Sequence, residues 1–148
     1  QPILLAPLPV TQGSVTSINT CAASGCHDDV SGTGGALRLR GGAAVVDLSD
    51  PANTPDVIRT TDMYKNFYSS QGEVVLGSTL QSRLISKPLL LNVLHGGGLI
   101  FHSVDDPMVK VLRYWIEHPM PTGQDEFSAA GNNLFTPPDP ATGTCNTD

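Results

Sequence analysis

Two cysteines and a histidine lie close together near the start of the chain. Cys21 and Cys26 are separated by four small residues, and His27 follows directly. A disulfide would close a very short loop and leave His27 unexplained. A zinc site needs four ligands, and the other candidates, Cys145 and three histidines, are scattered along the sequence. Covalent haem attachment uses all three residues, as two thioethers and one axial imidazole, so the motif favours haem.

Further motifs follow this group in a fixed order: "SGTGG", "SRLISKP", "HGGG" and "DPMVKVLRYWI". Together with the Cys-x4-Cys-His string, they resemble the planctomycete-type cytochrome c domain over about residues 20–117. The chain has Leu94 where that family has a proline, and Val109 where it has a helix tyrosine. The resemblance implies one covalently bound haem c, held by Cys21, Cys26 and His27.

The second axial ligand is expected to be His95. It follows the apolar run "PLLLNVL" and precedes three glycines, which allow backbone to pass close to a macrocycle. The family resemblance implies the same residue, so the expected metal ligands are His27 and His95. The alternatives are other histidines and methionines: Met120 and His102 first, then Met63, Met108 and His118.

Three other residues carry charged or reactive groups, but the sequence does not assign them a single role. Arg38 and Arg40 are candidates to pair with haem propionates, because a guanidinium binds carboxylate in a bidentate manner; solvated loop charges are an equal alternative. Cys145 is the odd thiol, and its role stays open.

Composition limits the possible partners and location. The net charge is −6 and the eight Lys and Arg residues are scattered singly, so no nucleic acid partner is expected. No run approaches the ~20 apolar residues of a membrane span. The start "QPILLAPLPV" is typical of a mature terminus after signal cleavage, although an arbitrary boundary is the alternative. We therefore expect a secreted protein, periplasmic or extracellular.

The predicted fold is mainly α: a small, loop-rich, monohaem cytochrome-c-like domain of three or four short helices. Residues 1–15 are expected to form an extended N-terminal arm, 16–118 the haem domain and 119–148 an irregular C-terminal tail. One helix should run from a cap at Thr54 to Gly72. A second should start at a cap at Ser78 and stop at Pro88, with an apolar stripe of Leu80, Leu84 and Ile85. The last helix should be capped by Asp105 or Asp106 and open at Pro107, with an apolar stripe of Met108, Val111, Leu112, Trp115 and Ile116.

These features predict an electron-transport protein rather than an enzyme. Its partners would be redox proteins, including other cytochromes in a larger multiprotein complex, and its oligomeric state stays open. An alternative is an assembly subunit whose haem is incidental, because the Pro-rich arm and the tail are long for a free carrier. A haem peroxidase is least favoured, since "LHGGGLIF" offers no second polar residue beside His95.

Overall fold

The computed structural model of the chain describes residues 2–47 and 49–118. In chain order the elements are α1 (Pro2–Leu5), β1 (Leu8–Gln12), β2 (Val15–Asn19), α2 (Pro55–Thr60), α3 (Asp62–Gln71), α4 (Arg83–Ser86) and α5 (Pro107–Glu117). Within the described residues 30% are helical and 11% lie in strands or bridges. The prediction of a mainly α fold is therefore wrong. The loop-rich character is confirmed, and the frequent glycines and prolines account for it.

The described chain forms two compact units. The first holds the chain up to Glu73 together with residues 94–100, and the second holds residues 74–93 and the chain from Phe101 onward. The chain therefore leaves the first unit after Glu73 and returns to it at Leu94. The division into arm, haem domain and tail stays a prediction, and the tail lies outside the described residues.

A β-hairpin occupies most of the segment expected to be an extended arm. Strands β1 and β2 pair antiparallel, with Leu8 opposite Asn19. Gly13, in the two-residue loop between them, has φ of +61°, which suits a tight hairpin turn. Leu8 is buried, which attaches the hairpin to the first unit. The segment is therefore paired rather than loose, and Pro9 fits in β1 because both strands of a two-stranded sheet are edge strands, where a missing N–H is tolerated.

Helices α2 and α3 replace the single helix expected between Thr54 and Gly72. The two boundaries are confirmed: the Thr54 side chain accepts a hydrogen bond from the Val57 N–H, and Gly72 is the C-cap of α3. Thr61 interrupts the helix, because its ψ of 152° is extended. Its N–H donates to Ile58 O and its hydroxyl accepts from the Tyr64 N–H, so one residue ends α2 and begins α3.

In the second unit, α4 is shorter than predicted. It begins after Ser82 rather than Ser78, because the Ser82 hydroxyl binds Val75 and Ser78 backbone groups and keeps that stretch in turns. Leu84 and Ile85 are buried as expected. Leu80 is 71% exposed, so its place in the predicted apolar stripe is wrong.

Helix α5 confirms its predicted start. Asp106 is the N-cap and accepts a hydrogen bond from the Met108 N–H at 2.8 Å, with Pro107 in the first turn. The buried side chains are Val109, Leu112 and Ile116, and Met108 is only half-buried. Val109 is thus in the core, although the predicted stripe left it out. No helix in the described part of the chain is long and apolar enough to span a membrane.

Candidate functional site

The Cys21–His27 segment forms a hydrogen-bonded turn in the first unit. The His27 N–H donates to Cys21 O at 3.0 Å, and the Cys26 N–H donates to Ala23 O at 2.9 Å. Gly25, inside the turn, has φ of +78°, which favours glycine. The four residues between the cysteines therefore fold back on themselves and bring both cysteines next to the backbone of His27.

Both cysteines are half-buried free thiols, so the disulfide alternative is not formed in this structure. Burial raises the pKa of the Cys21 thiol above its ordinary value, and the neighbouring Cys26 raises it further. Cys21 is therefore a protonated thiol at neutral pH.

His27 is held by the segment that follows the glycine-rich loop. The Leu39 N–H donates to His27 O at 2.7 Å, and His27 Nδ1 lies 3.3 Å from Leu37 O. A carbonyl oxygen only accepts, so Nδ1 is the donor and the neutral ring carries its lone pair on Nε2. A Cβ on Gly34 would lie 2.6 Å from His27 Nδ1, so a glycine is needed for the ring to occupy this position.

His95 is held within its own turn. The Gly98 N–H donates to His95 O at 2.9 Å, and His95 Nδ1 donates to Gly98 O at 2.8 Å. Gly98 has φ of +75°, and a Cβ there would lie 2.7 Å from Thr11 O in the hairpin. The turn therefore packs closely on β1, and His95 also presents Nε2 as its lone-pair nitrogen. Leu94 beside it is 92% exposed, which places an apolar surface next to the imidazole.

The two imidazoles lie opposite each other in nearly parallel planes. Their ring centroids are 6.2 Å apart and the interplanar angle is 14°. Interacting ring pairs have centroids about 4.5–7 Å apart, so the two imidazoles lie within the range of a stacked pair. With metal–nitrogen bonds of about 2 Å and about 1 Å from nitrogen to ring centre, two imidazoles that bind one ion from opposite sides also have centroids about 6 Å apart. The separation of His27 and His95 is therefore compatible with a shared ion, although it does not require one.

The alternative axial ligands proposed from the sequence make different contacts from those of His27 and His95. Met63 accepts a hydrogen bond from the Val46 N–H through its sulfur at 3.3 Å, and Met108 lies in the first turn of α5. His102 is exposed, and His118 Nδ1 donates to Tyr114 O at the end of α5. Met120 and Cys145 lie outside the described residues. Of the predicted axial ligands in the first unit, the structure brings His27 and His95 together.

Arg38 and Arg40, the predicted propionate partners, lie on the segment that contacts His27. The Arg40 Nε lies 3.2 Å from an Asp29 carboxylate oxygen and 3.3 Å from one of Asp62. Both arginines line an open groove of about 510 Å³, which Tyr64 also lines. Arg40 already has carboxylate partners within the chain, and the propionate role of both residues stays a prediction.

Sequence reasoning missed two residues of α3, Asn66 and Ser69, which bind the segment carrying Arg38 and Arg40. Asn66 is 1% exposed although it is polar. The sequence carries no signal for this role, because polar residues at i, i+3 and i+4 of a helix ordinarily indicate a solvated face.

Comparison of the chain with protein-family models, curated proteins and solved structures gives no match. The resemblance to planctomycete-type cytochrome c domains therefore rests on the quoted motifs alone.

Proposed function

We propose that this protein is an exported c-type cytochrome that transfers electrons through one covalently bound haem. Cys21 and Cys26 form the thioethers, His27 is the proximal axial ligand and His95 the distal one. When bound, haem supplies an iron that changes between ferric and ferrous states. The single observation that carries the proposal is that His95, distant in sequence, lies with its ring centroid 6.2 Å from that of His27, the histidine of the turn that holds Cys21 and Cys26.

The number of protein ligands favours haem over a bare metal ion. A structural zinc ion takes four protein ligands, and a catalytic one takes three. Among residues 2–47 and 49–118, no three His, Cys, Asp or Glu side chains converge into a metal-binding group. Haem iron needs only two ligands from the protein, because the macrocycle provides the other four. Two opposed imidazoles are a complete donor set for haem and an incomplete one for a bare ion.

The protein's own groups orient both ligands. Leu37 O and Gly98 O each accept the Nδ1 proton of one imidazole, which fixes the tautomer and leaves Nε2 of each ring as the nitrogen that would bind the iron. Both axial positions are then occupied by side chains held in separate backbone turns. This arrangement suits electron transfer, in which no substrate binds to the iron. Two imidazoles also favour the ferric form more than a His/Met pair does, so the reduction potential should be low.

Mass spectrometry and absorption spectroscopy test the haem directly. Denaturing mass spectrometry of the protein, produced in a host that attaches haem c, should show the chain heavier by one haem. The pyridine haemochrome spectrum should identify thioether-linked haem. A chain of bare polypeptide mass from such a host contradicts the proposal.

The distal ligand is tested with a matched pair of histidine variants. His95→Ala should allow exogenous imidazole or carbon monoxide to bind, while His102→Ala, which removes an exposed histidine, should leave ligand binding as in the wild type. Ligand binding by the wild type equal to that of His95→Ala would reject His95. A ferric charge-transfer band near the red edge that survives His95→Ala and disappears in Met120→Ala would assign the distal position to Met120.

A further inference from the structure

Helix α3 is bound to the segment of residues 37–40 by three hydrogen bonds. The Arg40 N–H donates to Asn66 Oδ1 at 2.7 Å, and Asn66 Nδ2 donates to Arg40 O at 3.0 Å. The Arg38 N–H donates to Ser69 Oγ at 2.7 Å. The side chains of Asn66 and Ser69 thus bind backbone groups of residues 38 and 40, as a neighbouring strand would do in a sheet. The only ladder contact described for this segment is a single bridge from Leu39 to Asp28.

The same segment holds His27. Leu37 O accepts the Nδ1 proton of the imidazole, and the Leu39 N–H donates to His27 O. The residues that contact His27 therefore alternate with Arg38 and Arg40, the two residues that α3 binds. Leu37 and Leu39 are both buried, at 7% and 0% exposure, so the segment is fixed by its apolar side chains on one side and by α3 on the other.

We propose that Asn66 and Ser69 are positioning residues that fix the His27 imidazole through residues 37–40 and thereby tune the reduction potential of the haem. The inference rests on the proposed function. His95 does not depend on residues 37–40, because the acceptor of its Nδ1 proton is Gly98 O in its own turn. Asn66 and Ser69 act on the proximal ligand and leave the distal one unchanged.

The direction of the effect follows from the hydrogen bond at Nδ1. Donation of the Nδ1 proton to a fixed carbonyl makes the imidazole a stronger electron donor to a metal, and partners of this kind typically change metal affinity or activity by about 10- to 100-fold. A stronger donor stabilises the ferric state. Loosening residues 37–40 weakens that hydrogen bond, so the reduction potential should rise.

Two adjacent serines of α3 provide the experiment. Ser69→Ala removes the acceptor for the Arg38 N–H, whereas Ser70→Ala removes a hydroxyl that donates to Asn66 O within the helix itself. In Ser69→Ala the ratio of ferrous to ferric protein at a fixed ambient potential should rise about three- to tenfold, tenfold corresponding to about 59 mV for one electron. Ser70→Ala should match the wild type in potential, even if it lowers stability.

Amide exchange and nitrogen-15 NMR provide a readout that does not depend on haem. Ser69→Ala should speed hydrogen exchange at the Arg38 and Leu39 amides and shift the His27 Nδ1 resonance, with the His95 resonance unchanged. Asn66→Ala, which removes both hydrogen bonds to Arg40 without adding a charge, should change the potential in the same direction.

The outcomes separate the two proposals. If Ser69→Ala and Ser70→Ala have the same reduction potential, whether or not it differs from that of the wild type, the positioning role is wrong. The haem proposal is unaffected by that result. A wild type without haem overturns the proposed function, and the NMR comparison then decides whether α3 still fixes the His27 ring.

Discussion

Gly34→Ala is the sharpest test of how the His27 ring is accommodated. The backbone of Gly34 lies outside the positive-φ region, so alanine brings no conformational strain there. Its Cβ, however, would lie 2.6 Å from Cε1 and Nδ1 of His27 and 2.8 Å from Cys26 O. Favourable carbon contacts are about 3.5–4.0 Å, so the ring has to move by about 1 Å.

The cost of this substitution can be worked out from the same contacts. Overpacking costs about 1–3 kcal/mol. The His27 Nδ1 to Leu37 O distance is already 3.3 Å, so a further displacement breaks that hydrogen bond. Its loss adds about 0.5–1.5 kcal/mol. We expect Gly34→Ala to lower the free energy of unfolding by about 1.5–4.5 kcal/mol.

Urea denaturation followed by circular dichroism measures this change. With a slope near 2 kcal/mol/M, the midpoint should fall by about 1–2 M. Gly42→Ala is the matched control, because its φ is also outside the positive region and a Cβ there meets no atom within 4 Å. It should be neutral or stabilise by up to about 1 kcal/mol. If the two variants unfold at the same urea concentration, the ring does not occupy the described position.

Three further predictions concern single groups. Hydrogen bonds from the Ser31 side chain and backbone lower the pKa of Asp28, so its contribution to stability is complete above about pH 3.9 and is lost as the pH falls through the lower folded pKa. Melting temperatures from about pH 6 to pH 2 should fall less for Asp28→Asn than for the wild type, and parallel curves would contradict this. Asp106→Ala should lower the free energy of unfolding by about 0.5–2 kcal/mol because it removes the N-cap of α5. Asp105→Ala, the control, should change it by less than about 0.5 kcal/mol. Urea denaturation measures both values, and equal losses of stability would contradict the capping role of Asp106. In the haem-free chain, alkylation of Cys21 by iodoacetamide should reach half its maximal rate above about pH 8.5, and a midpoint at or below that value would contradict the raised pKa.

Helix ends were the most predictable part of the fold. Thr54, Gly72 and the Asp106 and Pro107 pair are local signals whose effect depends on a few neighbouring residues. The break at Thr61 was missed because its hydroxyl also caps a helix, and an uninterrupted helical pattern gives no sign of that competition. The hairpin is not evident from the sequence, because the prolines at 2, 7 and 9 remove donors and favour an extended arm, and only an edge strand tolerates such a residue.

The candidate site was predictable as a set of residue types and not as a geometry. Cys21, Cys26 and His27 lie within seven residues of sequence, and their order favours haem attachment, which stays a prediction. The approach of His95 depends on how Gly98 packs on the hairpin, and the hairpin was itself not predicted. Asn66 was overlooked because an isolated polar residue in a helix is more often solvated, and only the fold shows which backbone it binds.

The return of residues 94–100 to the first unit has a consequence for the stability of that unit. An ion bound by both His27 and His95 would cross-link a loop of about 70 residues, which includes the whole excursion of the chain from Glu73 to Leu94. A cross-link of that span removes about 4 kcal/mol of chain entropy from the unfolded state. Release of the distal imidazole would restore that entropy to the unfolded chain. Whether His95 is bound to the ion would therefore affect the resistance of the first unit to heat and to proteases.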